Sequence, residues 1–308
     1  MLNEKYQKLA EELKAQFPKS LILLEEAMKS HTTFRIGGPA DIYIEPDYAS
    51  IIPLIRFLKE QEIPFIVIGN GSNLLVSDEG IEGVVISLGK QSNDITINGD
   101  TVVVEAGALL STVANKAAKA GLTGMEFASG IPGSIGGAVF MNAGAYGGEM
   151  KDIIESVLIL TPSMEQKTVT PEELSMSYRH SSLMEDGGYV LSAVLKLSQG
   201  NPEEIQARID EIRQQRTEKQ PLNFPSAGST FKRPEGYFAG KLIDDTGLRG
   251  YTVGGAQVSE KHCGFVVNKG DATAADVLQL MSDVNDKVFN KFGVHLVPEV
   301  RIIGRNVN

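Results

Sequence analysis

The sequence predicts an α+β protein with more than one domain. Two observations carry this, and a third bears on function. The chain has 308 residues, more than one small core accommodates. Strand and helix signals follow one another in a mixed order that does not fit a regular doubly wound sheet. Glycine is over-represented, 32 of 308, and concentrates in two stretches, one of them GSIGGAVFMNAGAYGGEM at 133–150. That stretch is also rich in Ile, Val, Phe and Met. A linker would combine Gly with Ser and charge, and a helix or strand interior would exclude Gly, which costs roughly 0.5–1 kcal/mol relative to Ala.

The elements read in order as follows. MLNEKYQKLAEELKAQF carries Leu2, Tyr6, Leu9 and Leu13 at helical spacing, has acidic residues and lacks the apolar core of a secretion signal. DIYIEP at 41–46 is a strand. Ser50 opens a helix through Ile55 and Leu58, with Pro53 in its first turn. FIVI at 65–68 is a short buried strand that runs straight into GNGSN, and GVVIS at 83–87 is another strand. ITINGDTVVVEAG is a hairpin turning near Asn98-Gly99. An Ala-rich helix over 109–120 stops at Gly121. After the glycine-dense stretch, SVLILT is a strand. Thr170-Pro171-Glu172-Glu173 is a capping box with Pro at the first helical position. YVLSAVLKL is a strand, and Asn201-Pro202-Glu203-Glu204 opens a long charged helix that connects to a last domain starting near 220. That domain holds the second glycine-rich stretch, Gly228 to Gly255, and two strand signals. A helix follows with Val277, Leu280, Met281, Val284 and Val288 on one face and Gly293 at its end, then PEVRIIG as a last strand.

Composition narrows the function. The net charge of −10 excludes a nucleic-acid backbone as main partner, while leaving room for a local basic phosphate pocket. No run approaches the roughly 18 apolar residues of a membrane span, and cytoplasmic location is expected. The single cysteine, Cys263, forms no internal disulfide, which fits a reducing compartment. Beside His262 it has two readings, a nucleophile or a small buried residue in a strand, and the second is the better. His31, His180, His262 and His295 are scattered, so no metal is expected.

Two glycine clusters suggest phosphates held by backbone N–H groups. The common motifs fail. In GNGSNL, Leu74 stands where the dinucleotide fingerprint needs its third Gly; GIPGSIGG lacks the opening Gly-x-Gly; and no G-x-x-x-x-G-K-[ST] occurs. A bare backbone laid against a large flat ligand with a diphosphate, with Ile135, Val139 and Met141 lining its apolar side, describes a flavin dinucleotide. A tight crossing of two elements also wants Gly, and spacing alone leaves both readings open.

HTTFRIGG at 31–38, GNGSNLLVSDEG at 69–80, GIPGSIGGAVFMNAGAYGGEM at 130–150, SYRHSS at 177–182, AGSTFKRPEG at 227–236, AGKLID at 239–244 and PEVRIIG at 298–304 stand in one collinear series. Together they resemble the UDP-N-acetylenolpyruvoylglucosamine reductase (MurB) family, over about 31 to 304. The spacing from Arg179 to Ser229 is similar to the shorter type, which lacks an extra substrate-covering loop. The resemblance implies a two-subdomain FAD-binding module of the PCMH/MurB type, at 1–100 and 101–200, followed by a smaller α+β substrate domain at 201–308. It implies reduction of a UDP-linked enolpyruvyl sugar to UDP-N-acetylmuramate for peptidoglycan, with non-covalent FAD and with NADPH as hydride donor. Such an enzyme serves cell wall biogenesis, and with it cell shape and division. A monomer is the expected state.

Site residues carry over motif by motif. For FAD the resemblance implies Gly69, Asn70, Gly71, Ser72 and Asn73; then Gly130, Gly133, Ser134, Ile135, Gly136 and Gly137; then Gly144, Ala145 and Tyr146. For the UDP-sugar it implies Lys219, in a K-x-P context, with Lys232 and Arg233 beside it. Arg179, Ser229 and Glu299 match the catalytic arginine, proton donor and third catalytic residue. Hydride addition to the enolpyruvyl group leaves an enolate spread into a carboxylate. A guanidinium fork suits that carboxylate, and a serine hydroxyl can protonate an enolate carbon in a water-poor site. A carboxylate placed nearby needs its charge tuned. Two rivals are a different oxidoreductase of the same flavoenzyme superfamily and a binding protein without turnover. AGSTF, AGKLID and PEVR oppose the first, and a proton donor opposes the second.

Overall fold

A computed structural model of the chain describes residues 4–307. The chain forms two units, each with its own hydrophobic core. The first takes residues up to Leu24, Ile42–Asn70 and Gly83–Gln215; the second takes Glu25–Asp41, Gly71–Glu82 and everything from Arg216 on. The division therefore does not follow the three consecutive segments expected at 1–100, 101–200 and 201–308. The second unit recruits two stretches from the N-terminal third of the chain because strand Arg301–Ile303 pairs in parallel with Leu74–Val76.

In the first unit, helix Glu4–Gln16 buries Tyr6, Leu9, Ala10 and Leu13, as the spacing predicts; Leu2 lies outside the described residues. One sheet runs Leu21–Ala27, Pro39–Glu45, Ile81–Ser87, Phe65–Ile68 in spatial order, and the unit boundary falls inside its first three strands. Helix Ile51–Glu60 buries Ile51, Leu54, Ile55 and Leu58, one face of its 3.6-residue period. Its Ser50 does not cap it: a turn of 3-10 helix, Tyr48–Ser50, comes first, and the Ser50 hydroxyl donates to Asp47.

The second sheet is antiparallel, in the order Gln166–Val169, Ile154–Leu160, Tyr189–Lys196, Thr101–Glu105, Ile95–Asn98. Its hairpin turns through Gly99 at φ +62°, where the Asn-Gly signal places it. Helix Leu110–Lys119 follows the hairpin, and Gly121 ends it at φ +74°. The capping box at Thr170 forms, with Thr170 N–H on Glu173 Oε2 (2.9 Å) and Glu173 N–H on Thr170 Oγ1 (3.3 Å). It opens only one turn, which Ser175 closes at φ +46°.

Helix Pro202–Lys219 buries Ile205, Ile209 and Ile212, and its last turn carries the chain across the boundary between Gln215 and Arg216. The second unit has a sheet of Thr252–Val253, Ala256–Val258 and Val266–Asn268. Against it packs helix Ala274–Phe292, which buries Val277, Leu280, Met281, Val284 and Val288. Thr273 caps this helix and Gly293 ends it in the left-handed conformation. Asp78 adds a second cap, accepting from Ala274 N–H (2.8 Å) and Ala275 N–H (3.0 Å).

Candidate active site

Strand Phe65–Ile68 ends at Gly69, against the loop that precedes the short helix Ile135–Phe140. A Cβ at Gly69 would lie 2.1 Å from Ser134 Oγ. Asn70 Nδ2 donates to Pro132 O at 2.6 Å. Leu110 N–H donates to Gly133 O (3.0 Å), and Ile135 and Gly136 donate to Ala108 O and Ala106 O (both 2.8 Å). Ser134, nearly fully buried, accepts from Gly137 N–H at 3.4 Å. The glycines allow close crossings of the backbone. Further along, Gly148 lets the chain cross the Phe127 ring, which a Cβ would meet at 2.6 Å. Around Gly69 the bareness brings two loops together. Among the described residues, the N–H groups of Gly69, Asn70, Gly133 and Ser134 donate to no protein carbonyl and are available to a ligand. This cradle of bare, uncommitted backbone fits a diphosphate. The apolar side chains play another part than expected: Ile135 and Val139 are wholly buried in the core, so Ile135 offers a ligand only its backbone, and Met141 is half-buried.

Arg179 belongs to the same unit. It sits at φ +53°, a left-handed conformation rare outside Gly and Asn, in a tight turn bridging Ser177 and His180. Its Nη1 donates to Gly144 O at 3.1 Å, and the guanidinium lies 5.6 Å from the Tyr178 ring centre. Gly144–Ala145 pairs with Gly148–Glu149, with Tyr146 at φ +51° in the turn between them. Asn142 stands under this hairpin, buried and at φ +41°. Its Nδ2 donates to Glu149 Oε2 (2.8 Å) and Ser177 O (2.9 Å), and its Oδ1 accepts from Lys151 N–H (2.9 Å). Ser181, also buried, donates to Phe140 O at 2.7 Å. The sequence reading missed Asn142; its only signal was a polar residue inside an apolar, glycine-rich run.

Ser229 and Glu299 lie in the second unit, either side of Thr230. Ser229 bridges Phe265, and Phe231 bridges Pro298. Thr230 is buried and fully engaged: its N–H donates to Gly264 O (2.9 Å), its Oγ1 accepts from Val266 N–H (2.9 Å), and its O accepts from Glu299 N–H (2.8 Å). Gly228, at φ +79°, aims the segment. Asn73 Nδ2 donates to Glu299 O at 3.1 Å and Asn73 O accepts from Arg301 N–H at 2.9 Å, so this side chain of the GNGSN loop is turned to the Glu299 strand. Burial pulls the Arg301 guanidinium below its ordinary pKa. Lys219 is exposed at the end of its helix. Lys232 N–H donates to Val297 O. Arg233 stacks on Phe238, its guanidinium 4.0 Å from the ring centre.

Cys263 is buried in a turn rather than a strand, and burial pushes its thiol up to about 11, which rules against a nucleophile. Among the described residues no cluster of three His, Cys, Asp or Glu could hold a metal ion, and no helix is long and apolar enough to cross a membrane.

An α+β chain with bare loops of this kind defines an FAD-binding protein, and residues 40–170 match the model of an FAD binding domain. Residues 220–303 match the model of the UDP-N-acetylenolpyruvoylglucosamine reductase C-terminal domain. The reductase of that name from Agathobacter rectalis is 58% identical over 301 residues, covering 94% of this chain and 96% of the relative. The one from Caldanaerobacter subterraneus subsp. tengcongensis is 51% identical, covering 96% of this chain and 98% of the relative. A crystal structure of the reductase (MurB) from Thermus caldophilus superposes with a TM-score of 0.78 at 38% identity, over 92% of this chain and 98% of that one. The chain belongs to the UDP-N-acetylenolpyruvoylglucosamine reductase family.

Proposed function

We propose that this protein reduces UDP-N-acetylglucosamine enolpyruvate to UDP-N-acetylmuramate with NADPH, for peptidoglycan precursor synthesis. The observation that supports the roles of its residues is the register of the second unit, where Glu299 N–H donates to the carbonyl of Thr230, the residue that follows Ser229. Bound FAD would supply two-electron chemistry, the delivery to the terminal carbon of the enolpyruvyl group of a hydride that comes from NADPH. The Gly69–Asn70 and Gly133–Ser134 backbone would hold its diphosphate.

Delivery leaves an enolate conjugated with the substrate carboxylate. Arg179 grips that carboxylate through two N–H groups and strengthens its hold as the oxygens gain charge. Ser229 gives its proton to the carbon next to the carboxylate. Glu299 stabilises the enolic form. Lys219, Lys232 and Arg233 bring positive charge for the UDP diphosphate. Between Arg179 and Ser229 the elements are helix Leu183–Asp186, strands Tyr189–Lys196 and Ser198–Gln199 and helix Pro202–Lys219, which supports the shorter type without a substrate-covering loop. The working enzyme is a cytoplasmic monomer.

Ser229→Ala tests the assignment. Flavin bleaching by NADPH should persist, while reoxidation by the UDP-sugar should fall about 10²–10⁴-fold, the usual worth of a positioned general acid; Ser229→Cys should recover part of it. If rapid mixing shows bleaching lost and reoxidation still fast, Ser229 is not the donor.

A further inference from the structure

Arg179 has a strained backbone and a long, flexible side chain, yet a carboxylate clamp must be aimed to a fraction of an ångström. A residue held at φ +53° persists only where its surroundings over-determine it. Those surroundings converge on one side chain. The Asn142 amide uses both N–H bonds and its oxygen, and each reaches a different piece of the Arg179 environment. One donor goes to Ser177 O, the residue that opens the Arg179 turn. The other goes to Glu149, which pairs with Gly144, the residue whose carbonyl receives the Arg179 guanidinium. The oxygen takes Lys151 N–H, while the Lys151 ammonium closes on Glu149 at 2.6 Å. Ser181, on the far side of the turn, ties it to Phe140, two residues before Asn142. Asn142 itself sits at φ +41°, a conformation Asn accepts more readily than other side chains do.

We infer that Asn142, seconded by Ser181, is a positioning residue that fixes the direction of the Arg179 guanidinium. Its amide locks the Ser177–His180 turn, which sets the arginine backbone, to the Gly144 hairpin, which receives the arginine head. The inference rests on the reading of Arg179 as the carboxylate clamp. It assigns Asn142 no contact with substrate. An aim lost by about 1 Å can cost on the order of 10²-fold in rate.

Asn142→Gly keeps access to the left-handed backbone and deletes the amide. Three readouts separate positioning from a general structural role. Amide hydrogen exchange should rise at Ser177, His180 and Ser182, whose N–H bonds close the turn, and not across the rest of the first unit. Flavin reduction by NADPH should stay within about threefold of the native rate, while reoxidation by the UDP-enolpyruvyl sugar falls on the order of 10²-fold. Arg179→Lys, itself strongly impaired, should cost little more when added to Asn142→Gly, because both remove one function. Rates that multiply instead overturn the inference, as does a native-like Asn142→Gly beside an impaired Arg179→Lys, which leaves the clamp reading standing. A native-like Arg179→Lys removes the clamp reading and the inference with it. Should Asn142→Gly fail to retain flavin, Ser181→Ala is put through the same three measurements, with a smaller loss of reoxidation, about tenfold, as the supporting result and native behaviour as the overturning one.

Discussion

A methyl group at position 69 would have to share space with the Ser134 hydroxyl, 2.1 Å away. That hydroxyl is buried and bonded to Gly137 N–H, so it has nowhere cheap to go. Gly69→Ala should therefore prise the two glycine loops apart. Overpacking of this kind costs typically 1–3 kcal/mol, which at 1.4 kcal/mol per decade weakens FAD binding by roughly 5- to 140-fold; equilibrium dialysis of the variant measures it, and unchanged retention would mean the loops do not hold the cofactor together. At this scale the sequence was informative about which backbone positions are bare. It was misleading about Ile135 and Val139, because a helical turn directs them into the core, and spacing across a glycine-rich run does not reveal a six-residue helix. Asn142 was illegible for a related reason: its value lies in three partners up to 35 residues away.

Two capping boxes, at Thr170 and Thr273, show what decides an element. Thr170 and Thr273 both form reciprocal bonds with the third helical residue. The first leads into EELSMS, which has no apolar stripe, and ends within a turn. The second leads into 19 residues with a buried stripe from Val277 to Val288, and packing sustains the helix. This long helix has the additional cap from Asp78, in the SDEG part of the GNGSNLLVSDEG motif. Asp78→Ala should leave two N–H groups without a carboxylate and cost about 1–2 kcal/mol. In a chain of this size that lowers the thermal midpoint by roughly 2–4 °C, with flavin spectra unaffected; a midpoint unchanged in calorimetry would deny the cap. The strands Leu21–Ala27 and Leu74–Val76 escaped the sequence reading. Leu74–Val76 is only three residues long, and its pairing with Arg301–Ile303 is too distant to leave a local pattern.

Across the whole molecule the α+β class and the family's C-terminal region were legible from element order and motifs, whereas the interleaving of the units was not. The second unit carries one expected source of acid sensitivity. Burial holds His262 below its ordinary pKa, and its Nδ1 accepts from Gly264 N–H, which requires the neutral ring. As pH falls through about 6.5, the unfolded chain takes up this proton before the folded one does. The stability due to the neutral ring is thus complete above that pH and is lost as pH drops toward the lowered folded value. Thermal midpoints measured from pH 7.5 to 5 should fall, and His262→Gln should flatten the descent; a variant with the native slope would remove His262 as the cause.

The second core includes Phe34, Ile36 and Leu75, made early in synthesis, packed with side chains such as Val277 and Val300, made last. A growing chain can close its first core while these early residues wait, still wetted, for the ribosome to release the rest. Cutting the gene at residue 220, where the match to the C-terminal family model begins, would not yield a module that stands alone. The piece would lack Phe34, Ile36 and Leu75 from its interior and Asp78 from the start of its longest helix. Nascent chains stalled near the end of the message would be the form most exposed to aggregation and to proteases.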